Sequence, residues 1–261
     1  MSSLKRLFAI SLAAMLSLVF IMAPLQFFFG MYGLFATEVF MALLAFAFAK
    51  VYKLNIHETF PIKTPNFRYL LGTVLVYIST NLICIPITLI IAHYFPSPLE
   101  ELSSTMLSLY ESVPFAFTFL CVAVMPSICE EALFRGTMWQ AMDGSNPLGR
   151  MLLIGLVFGI VHLDPIRFLP VALLGVFMCY VRYKTGSILY SMLLHLLNNG
   201  VSLLASFAAS GDLSESPTIA LTDFAVSIAL ALMGFFAFWL ASKAFGKTPQ
   251  TEIEIEPSQD E

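Results

Sequence analysis

Glu130 and Glu131 stand side by side in an otherwise apolar stretch that runs from Pro126 to Gly136, with Arg135 four residues further on. Two later apolar runs carry polar stops of their own: His162, and His195 followed by Asn199. An ionisable side chain inside a membrane segment costs about 2.5–3.5 kcal/mol on insertion scales, so a chain that keeps several is using them. Spacing by four puts Glu131 with Arg135, and His195 with Asn199, on one helix face. An ion pair satisfies Arg135, orients the helix and leaves Glu130 free to face the histidines. A carboxylate beside imidazoles in a water-containing pocket can hold and deprotonate a water. A second histidine and an asparagine can donate hydrogen bonds to the oxyanion that forms on an attacked amide. Together these steps amount to peptide-bond hydrolysis.

Other uses of the same residues stay open. Glu130, His162 and His195 are candidate ligands for a metal such as zinc, which lowers the pKa of its bound water. The H-E-x-x-H zinc motif is absent, so spacing does not indicate this version. A purely structural polar network is a third reading, and a proton-coupled transporter with Glu and His relays a fourth. Transporters of that kind tend to be built from repeats, and no internal repeat is evident here.

The elements that must position these groups are membrane helices. The 261-residue chain is 59% hydrophobic and 11% charged, with a mean hydropathy of +0.86. Soluble domains carry about a quarter charged residues. The expected fold is therefore an all-α polytopic membrane bundle of about eight transmembrane helices with an intramembrane active site. Residues 1–248 form one transmembrane domain, its catalytic half at about 113–204, and 249–261 a disordered acidic cytoplasmic tail. A net charge of -4 and the lack of a basic patch exclude nucleic acid as a partner. Cys84, Cys121, Cys129 and Cys179 lie in apolar runs without C-x-x-C spacing and read as small core residues.

In chain order, Leu7–Leu25 reads as a retained first helix rather than a cleaved signal peptide, and Phe27–Ala49 as the second. Glu38, in the middle of the second, is expected to be hydrogen-bonded to a neighbouring helix or near the interface. Tyr69–Phe95 is the third span, with an interfacial His93 at its end. In Pro96–Val113 the apolar residues recur at helical spacing, which fits an amphipathic helix lying on the membrane surface. The fourth span runs from Pro114 to about Met142, with a kink expected at Pro126. Arg150–Leu163 and Phe168–Val181 barely cover a hydrocarbon core of about 30 Å, so the turn between them dips into the membrane. Ser187–Ser206, a polar loop at Ser210–Thr218 and Leu221–Ala241 complete the chain.

With the amino terminus in the cytoplasm, eleven lysines and arginines fall on the inner side and Arg167 alone on the outer side. That excess sets the orientation, with both termini cytoplasmic. Depth adds a test. At 1.5 Å per residue from the inner turns, Glu130 sits about 18 Å up, His162 about 21 Å, His195 about 14 Å and Asn199 about 20 Å. Three helices thus deliver their polar groups to one layer.

Glu130-Glu131-x-x-x-Arg135, Phe158-x-x-x-His162 and His195-x-x-x-Asn199, in this order, resemble the three motifs of the CPBP family. It comprises the CAAX prenyl endopeptidases and the bacteriocin-processing and immunity proteins, also called the Abi family. The likeness extends through Glu130–Gly136 and Ser191–Asn199 and covers roughly Val113–Leu204. It implies an eight-span helical bundle with Glu130 as catalytic base and His162 positioning the water. His195 and Asn199 would serve the oxyanion, with Glu131, Arg135 and Phe158 supporting the motifs. The family is labelled metalloprotease, which keeps zinc in question. The partners implied are the lipid bilayer and a peptide or membrane-protein substrate, lipidated or not, in a bacterial inner membrane. The alternative within the family is a non-catalytic immunity or peptide-binding protein that uses the same cavity.

Overall fold

Lipid offers the backbone no hydrogen-bond partners, so an apolar chain must satisfy its own amides within each segment. The computed structural model describes residues 2–209 and 221–246, and these contain helices and connections but no strand. The expected Ser210–Thr218 loop and acidic tail lie outside the described residues. The helices are α1 (Ser3–Val51), α2 (Ile56–Thr59), α3 (Phe67–Tyr94), α4 (Pro96–Glu111), α5 (Phe115–Ala141), α6 (Pro147–Val161), α7 (Phe168–Thr185), α8 (Ile188–Ala209) and α9 (Leu221–Phe245). Six are long and apolar enough to cross a membrane, and α6 is a shorter apolar helix. The protein is an all-α integral membrane bundle.

The 49 residues of α1 do not form one rod. Gly30 takes φ +52 and ψ −126, a backbone conformation that glycine adopts without steric cost. There the chain doubles back: Gln26 donates from Nε2 to Thr37 Oγ1 at 3.1 Å, although eleven residues of straight helix would separate them by about 16 Å. The arms touch so closely that a Cβ on Gly33 would lie 2.0 Å from the Leu25 carbonyl oxygen. Two arms and α6 bring the crossings to the eight expected, with the first reversal at Gly30 rather than near Gln26.

α5 is the centre of the bundle. Over half of its apolar window is buried, against 17% for α3 and for α9. It changes hydrogen-bond register twice, with π-helical stretches at Leu120–Val124 and Ala132–Met138 on either side of Met125–Glu131. Pro126, where a kink is expected, lies where the chain returns from π to α geometry. Around α5, α6 and α7 pack backbone to backbone: a Cβ on Gly155 would meet the Val176 amide nitrogen at 2.8 Å, and one on Gly175 the Gly155 Cα at 2.9 Å.

The two ends of the bundle differ. At one end the 52–66 connection is tied to the α7–α8 turn, where the Ile188 amide donates to the Pro61 carbonyl and the Lys63 amide to Ser187 Oγ. Arg150 and Arg182 are buried nearby, donating to the backbone carbonyls of Trp139, Arg135 and Glu58, with Arg150 4.0 Å over the Trp139 ring. At the other end lies α4. Its acidic residues are exposed, whereas Leu102, Met106, Leu107 and Tyr110 are half-buried and face a cavity. The helix expected on the membrane surface has its apolar side chains over a cavity of the bundle, and Thr118 donates from Oγ1 to the Tyr110 carbonyl at 2.9 Å. Three of the four free cysteines are buried, while Cys84 is half-buried on the cavity wall.

Candidate active site

The centre of the site is an arginine taken out of water. Arg135 and Glu131 are both fully buried, and Arg135 donates from Nη1 to Glu131 Oε1 at 2.8 Å. Its Nη2 donates to the Gly175 carbonyl at 2.9 Å, which the close approach of α6 and α7 brings within reach. The guanidinium also lies 4.5 Å over the Phe158 ring, a face that attracts a desolvated cation. The same Glu131 oxygen accepts from His195 Nδ1 at 3.0 Å. One carboxylate thus ties α5 to α8, a role that spacing within one helix could not reveal.

Phe158 connects the motifs. Its ring lies edge-on to Phe134 at 5.0 Å, 4.7 Å from the His162 ring and 5.9 Å from that of His195. His162 caps the end of α6, and its Nδ1 lies 2.7 Å from the Phe158 carbonyl. A carbonyl only accepts, so Nδ1 carries the hydrogen there. Nδ1 of His195 likewise donates to a carboxylate. In their neutral forms both imidazoles therefore keep Nε2 as a lone-pair acceptor.

Asn199 is held by a gap in α5. Pro126 has no N–H to offer the carbonyl four residues back, and that carbonyl, on Val122, accepts from Asn199 Nδ2 at 3.0 Å. Asn198 donates from Nδ2 to Asn199 Oδ1 at 3.1 Å, which fixes the amide plane. The second Nδ2 hydrogen of Asn199 is left for another acceptor.

These groups wall one cavity of about 760 Å³ that lies under α4. Glu130, His162, His195, Asn199 and Phe158 all line it, so the residues expected at one depth do share one space. Glu130 Oε2 is buried and has no hydrogen-bond partner. Sequence reasoning missed two wall residues. Asn198 was hidden by its neighbour, and Glu38 was expected at a structural position. Its polar neighbours arrive from other helices, so nothing within its own run marked it.

No group of three His, Cys, Asp or Glu side chains that could hold a metal ion exists among the described residues. Glu130, His162 and His195 share a cavity without forming a ligand set, and zinc does not fit this arrangement. At the cavity's outer rim Arg167 pairs with Asp164. Burial pushes the Asp164 carboxyl up, but hydrogen bonds from the Arg167 side chain and the Arg167 and Ile166 amides outweigh it and hold the group below the usual range.

Residues 112–201 match the family model of the Rce1-like type II CAAX prenyl endopeptidases. The matched stretch contains all three motifs and every residue of the Glu131–Arg135–His195 contact. The match spans 90 of the 261 residues and is a similarity to that family over the central part of the chain. No curated protein and no solved structure gives a match.

Proposed function

We propose that this protein is an intramembrane endopeptidase that hydrolyses a peptide bond with a water activated by Glu130. The observation that carries the reading is the Glu130 carboxylate, with a buried and unpartnered oxygen, on the wall of the cavity that His162, His195 and Asn199 also line. Glu130 takes a proton from the water. His162 Nε2 accepts the water's other hydrogen and aims its oxygen at the scissile carbonyl. The tetrahedral oxyanion is met by the free Nδ2 hydrogen of Asn199. Glu131 accepts from His195 Nδ1 and so orients that ring on the cavity wall beside Asn199.

The lysine- and arginine-rich end of the bundle faces the cytoplasm, with both termini on that side. Because α4 and the Asp164–Arg167 turn lie at the opposite end, the cavity then opens to the extracytoplasmic face. The substrate is a peptide or membrane-protein segment, lipidated or not, that reaches the site from there.

Glu130→Ala tests the reading. Membrane-associated peptides from cells that carry the wild-type or variant protein are compared by mass spectrometry, with insertion checked by protease protection. Peptides that depend on Glu130 support hydrolysis and name the substrate. An unchanged peptide profile with retained immunity or peptide binding in Glu130→Ala would instead mean a non-catalytic binding protein.

A further inference from the structure

Glu38, on the second arm of α1, is 5% exposed, and its Oε2 is buried without a hydrogen-bond partner. It is neither at the interface nor satisfied at that oxygen by a neighbouring helix, as its position in the run suggested. It lines the same cavity as Glu130. Leaving such an oxygen unpaired carries a desolvation cost that an apolar side chain of similar size would avoid. The nearby cations are engaged elsewhere, Arg135 by Glu131 and Arg167 by Asp164. Two buried carboxyl oxygens on one cavity wall can divide the work of the reaction, one carboxyl as base and the other as acid.

Amide hydrolysis needs two proton movements. The attacking water loses one, and the leaving nitrogen must gain one, because an amide anion is too basic to depart. Glu130 accounts for the first. The neutral histidines present acceptors to the cavity, so neither supplies the second at the outset.

We propose that Glu38 is the general acid of this site, passing its carboxyl proton to the scissile nitrogen as the C–N bond breaks. Water's oxygen and its remaining hydrogen end on the new carboxyl group, the leaving amine keeps the bonding electron pair and gains the Glu38 proton, and the proton taken from water by Glu130 restores Glu38. The sum is the addition of one water. The proposal rests on the peptidase reading given above.

The test uses the full-length protein in detergent with two probes, a prenylated CaaX peptide and its depsipeptide, in which the scissile amide is an ester. An alkoxide leaves with far less proton help than an amide anion. Glu38→Gln should lower kcat on the amide about 10²–10⁴-fold with KM unchanged. On the ester the same variant should lose less than tenfold, and Glu38→Asp should recover part of the amide rate. The amide-to-ester ratio is taken within each preparation and is independent of the fraction folded. Equal losses on both probes, or no loss on either, would overturn the role of Glu38 while leaving Glu130 as base. A wild-type protein that cleaves neither probe and yields no Glu130-dependent peptide in the membrane comparison would overturn the peptidase reading, and this proposal with it.

Discussion

His195 Nδ1 lies 3.0 Å from Glu131 Oε1, the same oxygen to which Arg135 donates at 2.8 Å. Glu131 therefore both neutralises a buried arginine and fixes the tautomer of a cavity histidine from another helix. Removing one partner of a buried ion pair costs about 3–5 kcal/mol. Glu131→Ala should accordingly lower the thermal midpoint in detergent and the yield of inserted protein. Glu131→Gln keeps an oxygen for the Nδ1 hydrogen but not the charge that neutralises Arg135. It should fall between Glu131→Ala and wild type in stability and lose peptidase activity. A Gln variant with full activity would show that the charge on Glu131 is irrelevant to the reaction.

The bond from Asn199 to Val122 exists because Pro126 leaves that carbonyl without its helical donor. Asn199→Leu should then cost about 1 kcal/mol, since a part-buried carbonyl loses its partner. Pro126→Ala supplies an N–H that can take over, so Asn199→Leu should cost less in that background. A thermal-denaturation double-mutant cycle should give a coupling of about 1 kcal/mol. Strict additivity would mean that the proline and the asparagine are independent.

α6 offers two glycines with opposite expectations. A Cβ on Gly155 would meet the backbone of α7 at 2.8 Å, whereas one on Gly149 has nothing within 4 Å. Gly155→Ala should destabilise by about 1–3 kcal/mol through overpacking and shift the Gly175 carbonyl to which Arg135 donates. Gly149→Ala should be neutral or stabilise by up to about 1 kcal/mol through helix propensity. Melting of both purified variants checks the pair, and similar midpoints would argue against a tight α6–α7 contact.

What the sequence made legible follows from cost. Glu130, Arg135, His162, His195 and Asn199 stood out because polar groups are expensive in apolar helices, and 1.5 Å per residue sufficed to put all of them but Arg135 in one layer. Glu131 was legible only toward Arg135, its neighbour on the same helix. Its contact with His195 joins residues 64 apart and depends on how α5 and α8 pack. The first hairpin was legible as two spans, but its exact turn rests on one glycine's φ in a run of even hydropathy. The surface helix was recognised by its periodicity, yet periodicity does not say whether an apolar face meets lipid or a cavity. Glu38 failed for the same reason, because its neighbours come from other helices.

The direction of access follows from charge. The basic connections gather where the 52–66 segment meets the α7–α8 turn, and the cavity opens at the opposite end beneath α4. Cytoplasmic retention of lysine and arginine would turn that mouth outward. Single cysteines can test this in a Cys84→Ser background, where Cys121, Cys129 and Cys179 remain buried. Ser104→Cys reports the exposed face of α4, and Thr64→Cys the exposed basic connection. In right-side-out vesicles a membrane-impermeant maleimide should label Ser104→Cys and spare Thr64→Cys, and inverted vesicles should reverse the pattern. Labelling of Thr64→Cys from outside would turn the bundle over and make the cytoplasm the source of substrate.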